Sequence, residues 1–117
     1  MRLHHVQLAI PPGSEPECRA FYAGVLGWRE LEKPAALKAR GGLWFAVGTG
    51  ELHLGVEVDF RPARKAHPAF AVSDLDALAA KLQAVGAPVE FDDAIAGLRR
   101  LYTADDVGNR VEFLEHP

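Results

Sequence analysis

A short apolar run headed by histidine occurs twice, as LHHVQLAI (Leu3 to Ile10) and as HPAFAV (His67 to Val72), and each opens the same order of features. A helix start, a helical run closed by glycine and three further strand-like runs follow in both halves. From His5 to Gly27 is 22 residues and from His67 to Gly86 is 19, a difference that fits in the longer PPGSEPE connection of the first half. From Gly27 to His53 and from Gly86 to Glu112 the spacing is 26 residues in both cases. Such an internal register constrains the fold more than any single motif, because each copy is one supersecondary unit. It predicts two βαβββ modules, residues 1–60 and 65–117, within a single domain of residues 1–117. It also makes His5 equivalent to His67, and His53 equivalent to Glu112.

The elements follow from local pattern. LHHVQLAI alternates before PPG and predicts a strand over about residues 2–10. Ser14 and Glu17 have capping-box spacing, Pro16 is tolerated in a first turn, and PECRAFYAGVL then reads as helix up to Gly27. WREL, LWFAV and ELHLGVEV are three strands separated by Gly or Pro. In the second half, Ser73 and Asp76 resemble a second capping box, and LDALAAKLQAV is helical up to Gly86. PVEF, LRRLYT and RVEFLE supply its strands, with ADDVGN as the last turn.

With 117 residues, 49% of them hydrophobic and 25% charged, the chain can bury one core but not two independent ones. A net charge of −3 gives no basic footprint for nucleic acid. No apolar run approaches the roughly 18 residues of a membrane span. The opening MRLHHVQLAIPPG lacks a signal peptide's apolar core and cleavage site, and with one cysteine the expectation is a reducing cytoplasm. Cys18 has no motif of a nucleophile around it and reads as a small helix residue.

Strand parity sorts the polar residues, since successive side chains point to opposite faces. Val6, Leu8 and Ile10 oppose His5, Gln7 and Ala9; Leu52, Leu54, Val56 and Val58 oppose Glu51, His53 and Gly55. Pro68, Phe70 and Val72 oppose His67, Ala69 and Ala71, while Val111 and Phe113 oppose Glu112. His5, His53, His67 and Glu112 therefore lie off the faces that helices must cover, with small neighbours around them. An antiparallel sheet commonly leaves one face solvated, and a lone histidine there needs no function. Three imidazoles and a carboxylate at repeat-equivalent positions instead suit a divalent first-row metal, with Zn, Fe, Ni, Mn and Co all compatible. His4, on the apolar parity, and the terminal His116 read as structural or solvent-exposed.

At HHVQLAIP, FYAGVLGW, HPAFAVSDLDALAAKLQAVGA and DDVGNRVEFLE the chain resembles the vicinal oxygen chelate superfamily, over essentially its whole length. That group includes glyoxalase I, methylmalonyl-CoA epimerase, extradiol dioxygenases, fosfomycin-resistance enzymes and bleomycin-resistance proteins. The resemblance implies an α+β fold in which two βαβββ modules form an eight-stranded, cup-shaped mixed sheet with helices on the outer face. It implies a metal held by His5 from the first strand, His67 from the second module and Glu112 after the Gly108-Asn109 turn. His53 stands where glyoxalase I-like members place glutamate and epimerases glutamine, so the pattern of two site glutamates is not met. Asp106 stands where the usual turn has proline, a local departure. The bleomycin-binding members lack the metal ligands, which this chain retains.

What the resemblance implies for function is a metal-dependent lyase, isomerase, dioxygenase or thiol transferase acting on a small substrate that chelates the metal through adjacent oxygens. Glu112, the one carboxylate of the set, is then the candidate general base, with a base from elsewhere in the chain as the equal alternative. Trp44, Arg100 and Tyr102 are candidate substrate-binding residues: an indole wall, an anion clamp and a hydroxyl donor. For Trp44 and Phe45 alternation makes one of the pair core, and Arg100 reads equally as a solvated charge. Two rival classes stay open: a metal-independent, bleomycin-resistance-like protein that sequesters a drug, and a partner-binding regulatory module with a filled cup. Partners implied are a small molecule, with no nucleic acid and no membrane, and a second copy in a homodimer, module-swapped in many members.

Overall fold

The computed structural model describes residues 1–115. It divides into two compact units, Met1–Pro62 and a second that begins at Ala63. The first runs β1 (His5–Ile10), α1 (Glu15–Arg19), β2 (Arg29–Leu31), α2 (Ala35–Lys38), β3 (Leu43–Val47) and β4 (Gly50–Val56). The second runs β5 (Ala69–Val72), α3 (Leu75–Ala84), β6 (Glu90–Asp92), β7 (Arg99–Ala104) and β8 (Arg110–Glu115). The architecture is α+β, and the two units share one topology. Their sheets have strand orders β1-β4-β3-β2 and β5-β8-β7-β6, each with one parallel pair at its edge and antiparallel pairs elsewhere.

Each sheet buries one face. In the first unit Leu8, Ile10, Leu43, Phe45, Leu52 and Leu54 are buried, together with Cys18, Phe21 and Tyr22 from the helical segment. That segment departs from the expected regular helix: beyond α1 it widens into a π-helical stretch, Ala20–Val25, where the Leu26 amide donates to the Phe21 carbonyl five residues back (3.1 Å). The wider turn places the adjacent rings of Phe21 and Tyr22 both in the interior. In the second unit Leu75, Ala79 and Leu82, spaced as one stripe of α3, meet Leu101, Val111 and Phe113.

Several local expectations are corrected. β1 begins at His5 rather than residue 2, and His67 and Pro68 precede β5 rather than belonging to it. Val58 lies beyond β4 and is exposed, so it is not part of the apolar face. Neither capping box forms. The Ser14 hydroxyl donates to the Pro11 carbonyl (2.7 Å), and the cap of α3 is Asp74, whose carboxylate accepts from the Ala77 amide (3.0 Å). Helix α2 has no counterpart in the sequence reading.

Glu15, in the first turn of α1, reaches instead to the β2–β3 connection and accepts from the Gly42 amide at 3.0 Å. That bond is the main cause holding its carboxyl below the usual range, with burial opposing it. A carboxyl lowered in the folded chain stabilises it above the ordinary carboxylate range and loses that contribution as pH falls through the folded value. The stability advantage of the native chain over Glu15→Gln therefore shrinks as urea melts are moved from neutral to acid pH.

The start of the second unit is tied by a buried turn. Asp105 accepts from the Val107 and Asn109 amides, and Asn109, almost fully buried, accepts from the Ala63 amide at 2.9 Å. The Arg110 amide donates to the Ala63 carbonyl at 2.8 Å. Asn109→Ala strands the Ala63 donor and is expected to cost about 1–3 kcal/mol in urea denaturation, with an unchanged m-value.

Candidate metal centre

In the first unit the register places Gln7 of β1 and Trp44 of β3 on either side of His53 in β4. All three share the face opposite the core. His53 is buried there because two rings enclose it: its imidazole stacks on His5 at 4.0 Å and on Trp44 at 4.2 Å, nearly parallel to each. Its Nε2 lies 2.8 Å from Glu51 Oε1, two residues back on the same face. Burial pushes the imidazole below its ordinary value, while the bond to Glu51 works the other way. The neutral ring is the form favoured, with Nε2–H donated to Glu51 and the Nδ1 lone pair left to accept a cation. His5 meets His4 through their Nδ1 atoms at 2.9 Å, which leaves its Nε2 outside that contact.

The second unit repeats the register. Ala69 of β5 and Tyr102 of β7 flank Glu112 of β8, as Gln7 and Trp44 flank His53. His67, two residues before Ala69, corresponds to His5, two before Gln7. Where β1 offers Gln7, β5 offers only the methyl group of Ala69. His67 Nδ1 lies 2.8 Å from the Lys65 carbonyl, and its Nε2 lies 2.9 Å from Glu112 Oε1. Both ring nitrogens thus face oxygen acceptors. A neutral ring has one N–H to give, so with Nδ1–H on Lys65 the Nε2 lone pair faces a carboxylate oxygen. A proton on either atom closes the 2.9 Å contact as a hydrogen bond, whereas a metal ion about 2.0–2.2 Å from each would sit to one side of the line joining them.

Around this pair the β7 side chains close in. Arg100 sits 3.2 Å from Asp92 and 3.6 Å from Glu112 Oε2, and its buried Nε has no hydrogen-bond partner among the described residues. Tyr102 meets the His67 ring edge-on at 5.4 Å, and the Arg110 guanidinium lies 3.9 Å over the Tyr102 ring. Phe45 is the fully buried member of the Trp44–Phe45 pair, which leaves the half-buried indole on the histidine face.

The structure therefore brings the expected residues together in pairs: His5 with His53 beside Trp44, and His67 with Glu112 beside Arg100 and Tyr102. Among the described residues no three His, Cys, Asp or Glu side chains converge as a metal site. The donor chemistry of each pair nevertheless fits a divalent metal: opposed acceptors in one, a neutral buried imidazole in the other. His4 is exposed, and His116 lies outside the described residues. Sequence reasoning missed Glu51 and Arg110. Their signal was parity, since each lies two residues before His53 or Glu112 on the same strand face.

The family model of the Glyoxalase/Bleomycin resistance protein/Dioxygenase superfamily matches residues 2–113. A glyoxalase family protein from Bacillus anthracis is 45% identical over 100% of this chain and 96% of its own, with a TM-score of 0.96. The fosfomycin resistance protein FosX from Listeria monocytogenes is 15% identical over 100% of this chain and 94% of its own, with a TM-score of 0.80. Lactoylglutathione lyase from Agrobacterium tumefaciens is 23% identical over 94% of this chain and 91% of its own, with a TM-score of 0.69. These last two likenesses are of fold. Comparison with curated proteins gave no match. Among the described residues no helix is long and apolar enough to cross a membrane.

Proposed function

The chain belongs to the Glyoxalase/Bleomycin resistance protein/Dioxygenase superfamily, and from that premise we propose that it is a metal-dependent enzyme of glyoxalase or dioxygenase type. His5, His53, His67 and Glu112 would hold one divalent transition-metal ion (Zn, Fe, Ni, Mn or Co), the two modules contributing two donors each, from one chain or from two copies in a module-swapped homodimer. The observation that carries this reading is the opposition of His67 Nε2 and Glu112 Oε1 at 2.9 Å, with Nδ1 already tied to the Lys65 carbonyl. When bound, such an ion supplies Lewis-acid polarisation to two adjacent oxygens of a small substrate.

The remaining work falls to the chain's own side chains. Glu51 holds the His53 tautomer by accepting its Nε2 proton, and the His5 and Trp44 rings fix the plane of that imidazole. Glu112 can bind or release a proton at its second oxygen, the role of a general base or acid in lyase and isomerase chemistry. The guanidinium of Arg100, 3.6 Å from that oxygen, can orient an anionic substrate group. Tyr102 offers a hydroxyl donor, and Trp44 a flat wall that excludes water.

Elemental analysis of untagged protein purified without added metal tests the reading. Near-stoichiometric transition metal is expected; a chain that carries none and takes none up at micromolar concentrations would refute it. Glu51→Gln should weaken metal affinity about tenfold, because it removes the carboxylate that makes the His53 ring a better donor. A chelator-competition titration reads that change directly.

A further inference from the structure

The histidine face of the first unit continues beyond Trp44 into a cavity of about 220 Å³. Gln7, Trp44 and Gly55 line it from the sheet, and Lys33, Leu37 and Arg40 from the segment between β2 and β3. Gly55 makes the floor possible: a Cβ there would come within 2.8 Å of the Gln7 amide nitrogen, so the glycine yields its space to the Gln7 side chain. One face of the Trp44 indole is covered by His53, so the cavity meets its other face or its edge. Among the described residues no carboxylate lines the cavity. Glu15, behind it, accepts from the Gly42 amide and is also attracted to Lys33, and Glu32 pairs with Lys38 at 2.7 Å. The Lys33 ammonium donates to the Gly41 carbonyl and is half-buried. Arg40 is exposed, with no ion pair or hydrogen bond from its guanidinium among the described residues.

Two cations and an amide around a small cavity with an indole wall define a ligand chemistry. From this geometry we infer that the cavity is a subsite for a carboxylate on a flat substrate group, with Arg40 and Lys33 as its charge partners and Gln7 as a hydrogen-bond donor. A guanidinium fork matches a planar carboxylate in two parallel bonds, and an ammonium adds a point charge. The substrate class is then a small planar acid whose carboxylate lies beyond Trp44. Only the placing of its chelating oxygens at the His53 end rests on the proposed function; the preference for an anion stands on the cavity's own residues.

Benzoate and benzamide, equal in shape and different in charge, are the probes. Each is titrated into the isotope-labelled full chain, as purified and after EDTA treatment, with amide and indole resonances followed by NMR. Benzoate should shift the resonances of Gln7, Gly41, Gly55 and the Trp44 indole saturably in both preparations, and benzamide should bind at least about tenfold more weakly. Arg40→Gln, at an exposed position, should weaken benzoate about tenfold while leaving metal uptake unchanged. Indifference to charge, shifts confined to other residues, shifts that vanish with EDTA, or an unaffected Arg40→Gln would overturn the subsite. Metal titration of the same samples reports separately on the proposed function, so a chain that binds benzoate but no metal loses that function and keeps the subsite.

Discussion

Glu112→Gln is expected to lower the affinity of the chain for a divalent transition metal by about 100-fold or more. Glutamine keeps the volume of the side chain and its carbonyl oxygen but removes the charge that faces His67 Nε2 at 2.9 Å. Loss of an outer-sphere partner alone costs about 10–100-fold in affinity, and a direct charged donor should cost at least the upper end of that range. The position is buried, so water cannot readily take the place of the lost donor. Competition against a chromophoric chelator measures the loss, and a far-UV melt of the same variant shows whether the fold persists. A change within threefold would mean that Glu112 is no ligand and that its contact with His67 is an ordinary hydrogen bond.

Gly42→Ala is expected to produce the largest loss of stability among single small substitutions in the first unit. The residue has φ of +86°, and a Cβ there would lie 2.2 Å from the Leu54 carbonyl oxygen in β4. The obstacle is backbone, so relief requires the β2–β3 connection to leave the strand or the strand to shift. Left-handed backbone at a residue bearing a Cβ costs about 1–2 kcal/mol, and a forced shift of packed structure about 1–3 kcal/mol more. Gly48→Ala separates the two effects: its φ is +55° and nothing stands within 4 Å of its added Cβ. Urea denaturation should place Gly42→Ala about 1–3 kcal/mol below Gly48→Ala. Equal values would show that the connection yields freely, which would also weaken the case for a fixed cavity at Arg40.

The repeat made the strand registers legible. Counting from the helix-closing glycines paired His53 with Glu112, and the observed ladders give those residues equivalent neighbours, Gln7 and Trp44 in one unit, Ala69 and Tyr102 in the other. Parity likewise put Leu52 and Leu54 in the core and His53 on the opposite face. What failed were the signals that depend on which partner a side chain finds. Ser14 and Glu17 have the spacing of a capping box, but Pro11 supplies a carbonyl that takes the Ser14 hydroxyl. Asp74 displaced Ser73 as cap because its carboxylate reaches the Ala77 amide. Val58 continues an alternation that the chain abandons after Val56. At the candidate site the residue types and their faces could be read, whereas the His5–His53–Trp44 stack and the Glu51 bond could not. Those depend on rotamers, which periodicity does not carry. The widened turn at Ala20–Val25 left no mark either, beyond two consecutive aromatics in a helical run.

X-ray absorption of the zinc-loaded, untagged full chain tests most directly whether both modules serve one cation. One zinc per chain is expected, in a nitrogen and oxygen shell at about 2.0–2.2 Å, with outer-shell scattering from three imidazoles. Scattering from a single imidazole, or zinc taken up at two separate sites per chain, would contradict it.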